Sequence, residues 1–326
     1  MYIRAKFING KYYYYLVESK RINGKTVQRS LAYLGEKEEA IAYAEKHKLK
    51  VVEPKPRKLE KGMTKLDYLI ELKKKRLDSL KISEEVEKKY REDLEVAWTY
   101  HSTTIEGSTL SLEETDLFLS KGIVGPNKPF EDYLDAKGHK DAIELIFLWL
   151  TKNKKRPIQK IDILNLHKVT MWGRDWGGNY RETQVYIRGS KHVPPPPSQV
   201  KSLMKEFTAK LNMDQGKIPT ISHSANSHID FESIHPFVDG NGRVGRLLVN
   251  WLLLREGYPP IIIEVKDRKR YFNLLGEAQI KNDPTRLIWF FKNKLNQAYD
   301  FYLSRVDPKY ETWLKSIKSK KMLKKK

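Results

Sequence analysis

The chain contains no cysteine. That excludes disulfides, thiolate metal sites and a cysteine nucleophile, and it suits a reducing compartment. Long apolar runs are missing too. None reaches the roughly 18 residues that a spanning helix needs, and the opening residues lack the apolar core of a secretory leader. The expectation is a soluble, cytoplasmic protein without a membrane partner. Negative charge is in short supply: 41 Asp+Glu stand against 62 Lys+Arg, a net charge of +21. Such an excess attracts nucleotides, nucleic acid or acidic protein surfaces without choosing among them. A lysine-rich, cysteine-free composition is also a weak mark of heat adaptation. With 326 residues, 40% of them hydrophobic, the chain can bury one large core or two to three smaller ones.

The most informative stretch runs from His235 to Arg246, His-Pro-Phe-Val-Asp-Gly-Asn-Gly-Arg-Val-Gly-Arg, and continues into an apolar helix. Gly240 and Gly242 flank Asn241, so the backbone can approach a ligand or take positive φ. The helix that follows leaves its first N–H groups without partners, a ready anion site. Arg243 and Arg246 are three apart and converge on one side. An imidazole (His235), a carboxylate (Asp239), a backbone cradle and two cations suit polyphosphate chemistry.

This run resembles the signature of the Fic family, His-x-Phe-x-Asp/Glu-Gly-Asn-Gly-Arg-x-x-Arg, with every fixed position filled. A second match lies upstream. Ser102-Thr103-Thr104-Ile105-Glu106-Gly107 resembles the inhibitory motif of many Fic proteins, Ser/Thr-x-x-x-Glu-Gly/Asn. Glu106 falls at a helix C-terminus, where the dipole disfavours a carboxylate. In the family a cation offsets that penalty, here Arg246. The resemblance covers roughly residues 60 to 300.

Around these motifs the chain reads as mainly α. Residues 1–50 are expected to form a β-meander plus helix, with turn signals at Asn9-Gly10 and Asn23-Gly24. The tyrosines Tyr12 to Tyr15 are read as half-buried strand residues; a basic-aromatic sheet binding nucleic acid is the alternative. Residues 51–58 read as a linker. A helical region spans 59–155 and includes the inhibitory helix at about 84–107, opened by Ser83; a capping box at Ser111/Glu114 opens the next helix. The catalytic core is expected at 156–305 and a frayed basic tail at 306–326. Within the core, Tyr180 to Ile187 reads as a strand and Arg188 to Lys191 as a turn, a hairpin at about 180–195. His167 reads as a packed core histidine. His223, His228 and His235 are five and seven apart, a spacing that suits no zinc pair.

The resemblance implies a protein adenylyltransferase. It moves AMP from ATP to a Ser, Thr or Tyr hydroxyl of a protein, with self-modification expected and, in some relatives, removal of AMP as well. His235 would be the general base. Asp239 would hold Mg²⁺, with Mn²⁺ as the alternative. Backbone N–H groups around Gly240 to Gly242, with Asn241, would stabilise charge on the transferred phosphate, and Val244 and Gly245 would belong to the nucleotide site. Arg243 and Arg246 would bind the outer phosphates, and Ser102, Glu106 and Arg246 would form the switch. The hairpin would serve as a flap that docks the protein substrate, with Gly189, Lys191 and His192 near the nucleotide. Tyr271, Phe272 and Gln279 would line the base pocket. Transfer of UMP or another phosphoryl group, a homodimer, and nucleic-acid contacts through the N-terminal module and tail stay open.

Overall fold

The computed structural model describes residues 1–8, 11–22, 25–35, 37–52, 64–214, 216 and 218–319. Alternation decides the N-terminal module. Strands β1 (Tyr2–Ile8), β2 (Lys11–Ile22) and β3 (Lys25–Tyr33) form an antiparallel meander. The pairs Ile8↔Lys11 and Ile22↔Lys25 close its hairpins; the two expected turn dipeptides lie outside the described residues. On β2, Tyr14 and Leu16 face Ile3 and helix α1 (Lys37–His47), through Ala40 and Ala44. The intervening Tyr13, Tyr15 and Val17 face the helical core. Tyr13 also donates to the Glu206 carboxylate at 2.7 Å. Tyr13 to Tyr15 are therefore buried supports of the sheet, and they form no exposed stacking surface. The expected linker begins later than residue 51. Val51–Val52 form β4, which pairs parallel to β1 at Ile3 and Arg4. Residues 53–63 lie outside the described residues.

The rest is helical, and local chemistry sets the ends. Thr64 and Asp67 make a full capping box for α2 (Lys65–Asp78). Ser83 caps α3 (Glu84–Glu106), which stops at Gly107 with φ 123°. The Ser111/Glu114 box opens α4 (Leu112–Lys121), and α5 (Phe130–Asn153) follows. Helix α6 (Lys160–Thr170) begins after Pro157, because Gln159 is its cap. Pro197 fills the first position of α7 (Pro197–Met213), where its missing N–H costs nothing. Then come α8 (Thr220–Ile234), α9 (Asn241–Arg255), α10 (Arg268–Lys281), α11 (Thr285–Val306) and α12 (Tyr310–Ser319). The last of these corrects the expected frayed tail. Tyr310 and Ile317 are buried, so 310–319 is an amphipathic helix packed on the core; 320–326 lie outside the described residues.

Helices α8 and α9 are the centre. Thirteen of fifteen residues in each are buried, as helices with neighbours on every side must be. The six-residue connection between them therefore has a rigid floor on both sides. The flap departs from its expected secondary structure. Two limbs and a turn at Arg188-Gly189 are present, but Tyr180 to Ile187 make no strand ladder. The returning limb runs through His192 and Val193 into Pro194–Pro196, and the prolines have no N–H to donate. Side-chain bonds tie the limbs instead: Gln184 Nε2 donates to the Pro194 carbonyl at 3.1 Å. Among the described residues, no helix is long and apolar enough to cross a membrane.

Candidate active site

The site begins where α8 ends. His235 is the C-cap and takes left-handed angles, φ 48° and ψ 63°. A non-glycine residue there is uncommon, and it persists only when its surroundings hold it. Arg181 does the holding. Its guanidinium is buried and donates to the carbonyls of His235 (2.8 Å), Thr183 (3.1 Å), Pro195 (2.5 Å) and Ile234 (3.4 Å). Its backbone N–H donates to the Pro236 carbonyl at 3.0 Å. One side chain thus binds both limbs of the flap to the loop that carries the imidazole. In the sequence Arg181 looks like one more residue of a strand, and nothing local marks it.

The loop is packed from below. Phe237 is fully buried and stacks on the His167 ring at 3.6 Å between centroids. The Gly178 N–H donates to His167 Nδ1 at 2.9 Å, so Nε2 carries the proton and donates to the Asp239 carbonyl at 3.1 Å. Burial lowers His167 to about 4, which keeps this ring neutral. His167 is a core histidine, as expected, and it also fixes the loop. Asn241 is held within the loop. Its Oδ1 accepts from the Phe237 N–H and its Nδ2 donates to the Phe237 carbonyl, both at 2.9 Å. The side-chain amide thus acts as a staple across the turn. Gly240 starts α9 at φ 77°, and a Cβ there would lie 2.5 Å from Met171 Sδ.

The charged groups are arranged in two tiers. Asp239 is outermost, with its side chain 64% exposed. Arg243 lies inward, 2.8 Å from Asp135 Oδ1 and 3.3 Å from Asp239 Oδ2. Helix α5 thus reaches the site through Asp135, although it falls in the N-terminal helical region by sequence. Arg246 is deeper. Its Nε donates to Ser102 Oγ at 3.0 Å, one terminal nitrogen donates to the Ser102 carbonyl at 2.7 Å, and the other to Glu106 Oε1 at 2.7 Å. Burial alone would lower Arg246, but Glu106 and the Tyr271 hydroxyl outweigh it and the group is held above its ordinary value. A Cβ built on Gly242 would collide with Glu106 Oε1. The Glu106 carboxylate therefore lies over the first turn of α9, where an anion is favoured. That position, together with Arg246, offsets the poor placement of Glu106 at the end of α3.

The remaining expected residues divide. Gly189 forms the flap turn at φ 76°, and Lys191 is exposed beside it. His192 is turned inward, its Nε2 donating to the Ser233 carbonyl at 2.8 Å, so its ring anchors the flap. Tyr271 is buried behind Arg246, with its hydroxyl 2.6 Å from His228 Nε2. Phe272 is partly exposed under the Arg268 guanidinium. Gln279 Nε2 is buried and has no hydrogen-bond partner among the described residues. Val244 packs in the core and Gly245 lies against Glu232 and His228. Glu232 had no sequence signal beyond its i,i+3 spacing to His235.

Residues 141–253 match the Fic/DOC family model. Two similar curated proteins are both called protein adenylyltransferase Fic. The one from Drosophila grimshawi is 36% identical over 63% of this chain and 42% of its own length. The one from Culex quinquefasciatus is 36% identical over 63% and 41%. The chain thus spans about two fifths of the length of these relatives. Among solved structures, Fic-1 from C. elegans is 27% identical with a TM-score of 0.67, covering 74% of this chain and 71% of its own. A Fic domain containing signaling protein from Bacteroides thetaiotaomicron shares the fold at 24% identity and a TM-score of 0.68, over 74% and 98%. The loop from His235 to Arg246 thus lies within the residues that match the Fic/DOC family model, on a fold similar to that of Fic-1.

Proposed function

We propose that the chain transfers AMP from ATP to a hydroxyl group of a protein, and that Glu106 holds this activity in check. The observation that carries the reading is the assembled loop. A strained imidazole, an exposed carboxylate, the first turn of α9 and a buried arginine converge on one mouth. The relatives named protein adenylyltransferase support the choice of AMP.

In this reading His235 takes the proton of the acceptor hydroxyl, whose oxygen attacks the α-phosphorus as pyrophosphate leaves. Free N–H groups in the first turn of α9 face the developing charge. Among the described residues no cluster of three or more His, Cys, Asp or Glu could hold a metal. A single exposed carboxylate, Asp239, fits Mg²⁺, which takes few protein ligands and leaves positions for phosphate oxygens and water. When bound, the ion would neutralise phosphate charge.

Two bulky side chains, one on the flap and one in the loop, are exposed. Tyr186 on the flap is 79% exposed and Val238 in the loop 53%. They support an extended segment of a protein substrate lying along the flap, held by backbone pairing to its free edge. Lys191 would reach the nucleotide, and Phe272 and Gln279 the base. The same Glu106 would orient water if the chain also removes AMP.

The test is incubation of the full chain with ATP and Mg²⁺, followed by mass spectrometry. Self-modification by one AMP group is expected to be weak in the wild type and stronger in Glu106→Gly, and absent in Glu106→Gly/His235→Ala. Modification that persists without His235 would reject its role as base. A UMP or phosphate adduct from mixed nucleotides would reject the donor.

A further inference from the structure

Glu232 takes no part in the transfer described above, yet it lies against the base. It is in the last turn of α8, three residues before His235, so the two side chains share a face. Its side chain is 7% exposed, and Oε2 lies 3.5 Å from His235 Nδ1. Among the described residues neither Glu232 Oε1 nor His235 Nδ1 has a hydrogen-bond partner. A buried carboxylate oxygen without a partner is costly, and His235 Nδ1–H is a donor close to this carboxylate. The 3.5 Å separation is long for a hydrogen bond, as such pairs often are before substrate tightens them.

The surroundings leave room for the charge and keep it. A Cβ on Gly245 would lie 2.5 Å from Glu232 Oε1 and 3.0 Å from the His228 ring, so α9 packs closely against both side chains here. The groups facing the carboxylate are His235 and His228 from α8 and Arg246 from α9; Tyr271 of α10 and Glu106 of α3 lie behind Arg246. Burial pushes the Glu232 carboxyl up, but His235, His228 and Arg246 outweigh it and hold it below its ordinary range. Among the described residues His228 Nδ1 makes no hydrogen bond to Glu232; its Nε2 lies 2.6 Å from the Tyr271 hydroxyl, and burial lowers its ring to about 4, which keeps it neutral.

We infer that Glu232 is the positioning residue of the general base. Its carboxylate accepts the Nδ1–H of His235 and so selects the tautomer whose Nε2 lone pair faces the acceptor hydroxyl. On transfer the O–H bond breaks, its proton goes to Nε2, the new O–P bond forms and the P–O bond to pyrophosphate breaks. The imidazolium then carries protons on both nitrogens beside an ionised Glu232, which stabilises it until Nε2 releases its proton to water. The rate part of this inference rests on the adenylyl-transfer reading; the tautomer part does not.

The experiment is imidazole ¹⁵N NMR of the full-length protein near neutral pH, with the His235 signal assigned by its loss in His235→Ala. The wild type is expected to show the Nδ1–H tautomer. Glu232→Gln should lose that preference and lower kcat for AMP transfer by roughly 10²–10⁴-fold, with the nucleotide KM within about twofold. Glu232→Asp, which keeps the charge, should retain the tautomer and part of the rate. An Nε2–H tautomer in the wild type overturns the inference, as does a wild-type kcat in Glu232→Gln. If Glu232→Gln does not fold, the wild-type tautomer still decides. A wild type with the Nδ1–H tautomer but no AMP transfer supports the pairing and rejects the activity.

Discussion

Replacing Glu106 by glycine puts the switch to a quantitative test. Glu106 Oε1 accepts from Arg246 at 2.7 Å, with side chains 33% and 5% exposed. A charge-assisted hydrogen bond contributes about 1.5–3 kcal/mol, and the partial exposure of Glu106 moves it to the lower part of that range. About 1.5–2 kcal/mol corresponds to roughly a 10–30-fold change in affinity. ATP must displace this contact to use Arg246, so Glu106→Gly should bind ATP about that much more tightly in calorimetry. The same change has a cost. It leaves a buried guanidinium bonded to Ser102 without its ion-pair partner, so Tm should fall in the absence of nucleotide. Saturating ATP should then raise Tm by more than it does in the wild type. Glu106→Gln, which keeps an oxygen but not the charge, should fall between. If Glu106→Gly changes neither ATP affinity nor the ATP-induced shift in Tm, Glu106 does not compete with phosphate and the inhibitory reading is wrong.

Three further expectations follow from packing and charge. Arg181→Ala removes four carbonyl contacts at once, so hydrogen exchange across 182–193 should speed up and AMP transfer should fall; unchanged exchange would show that the flap is held by other means. Gly138→Ala sets a Cβ 2.6 Å from the Thr170 carbonyl, a rigid backbone neighbour, and should lower stability by about 1–3 kcal/mol in urea melts. His167 and His228 sit near 4 in the folded chain against an ordinary 6.5. Their depressed values mean that stability is complete above about pH 6.5 and is lost as pH falls toward 4, by about 3 kcal/mol each. His228→Gln should therefore show a shallower fall of Tm between pH 6.5 and 4 than the wild type; equal slopes would refute the assignment.

Much of the site was legible because its chemistry is local. His235, Asp239, the glycines and both arginines lie within twelve residues, and cap residues such as Ser83 and Ser111 mark helix starts within one turn. Where the reading failed, the deciding partner was distant in sequence. Tyr180 to Ile187 have strand composition, but their ladder needs N–H groups that the proline limb lacks. Residues 310–319 look like a basic tail until Tyr310 and Ile317 find the core. Val51–Val52 sit beside prolines, yet they complete a sheet begun at residue 2.

By itself the sequence determined the helical class, the caps, the glycine-led start of α9 and the pairing partner proposed for Glu106. Each depends on periodicity or spacing over a few residues, or on a motif filled without gaps. Only the tertiary structure decided what those groups touch. It turned Asn241 into a staple for Phe237, His192 into an anchor, and Arg181 into the clamp on a strained His235. It also set Glu232 beside the base and Glu106 over the first turn of α9. Hydrogen bonds and ion pairs act over about 3 Å, and which groups come that close across 140 residues of chain is settled by how the helices pack.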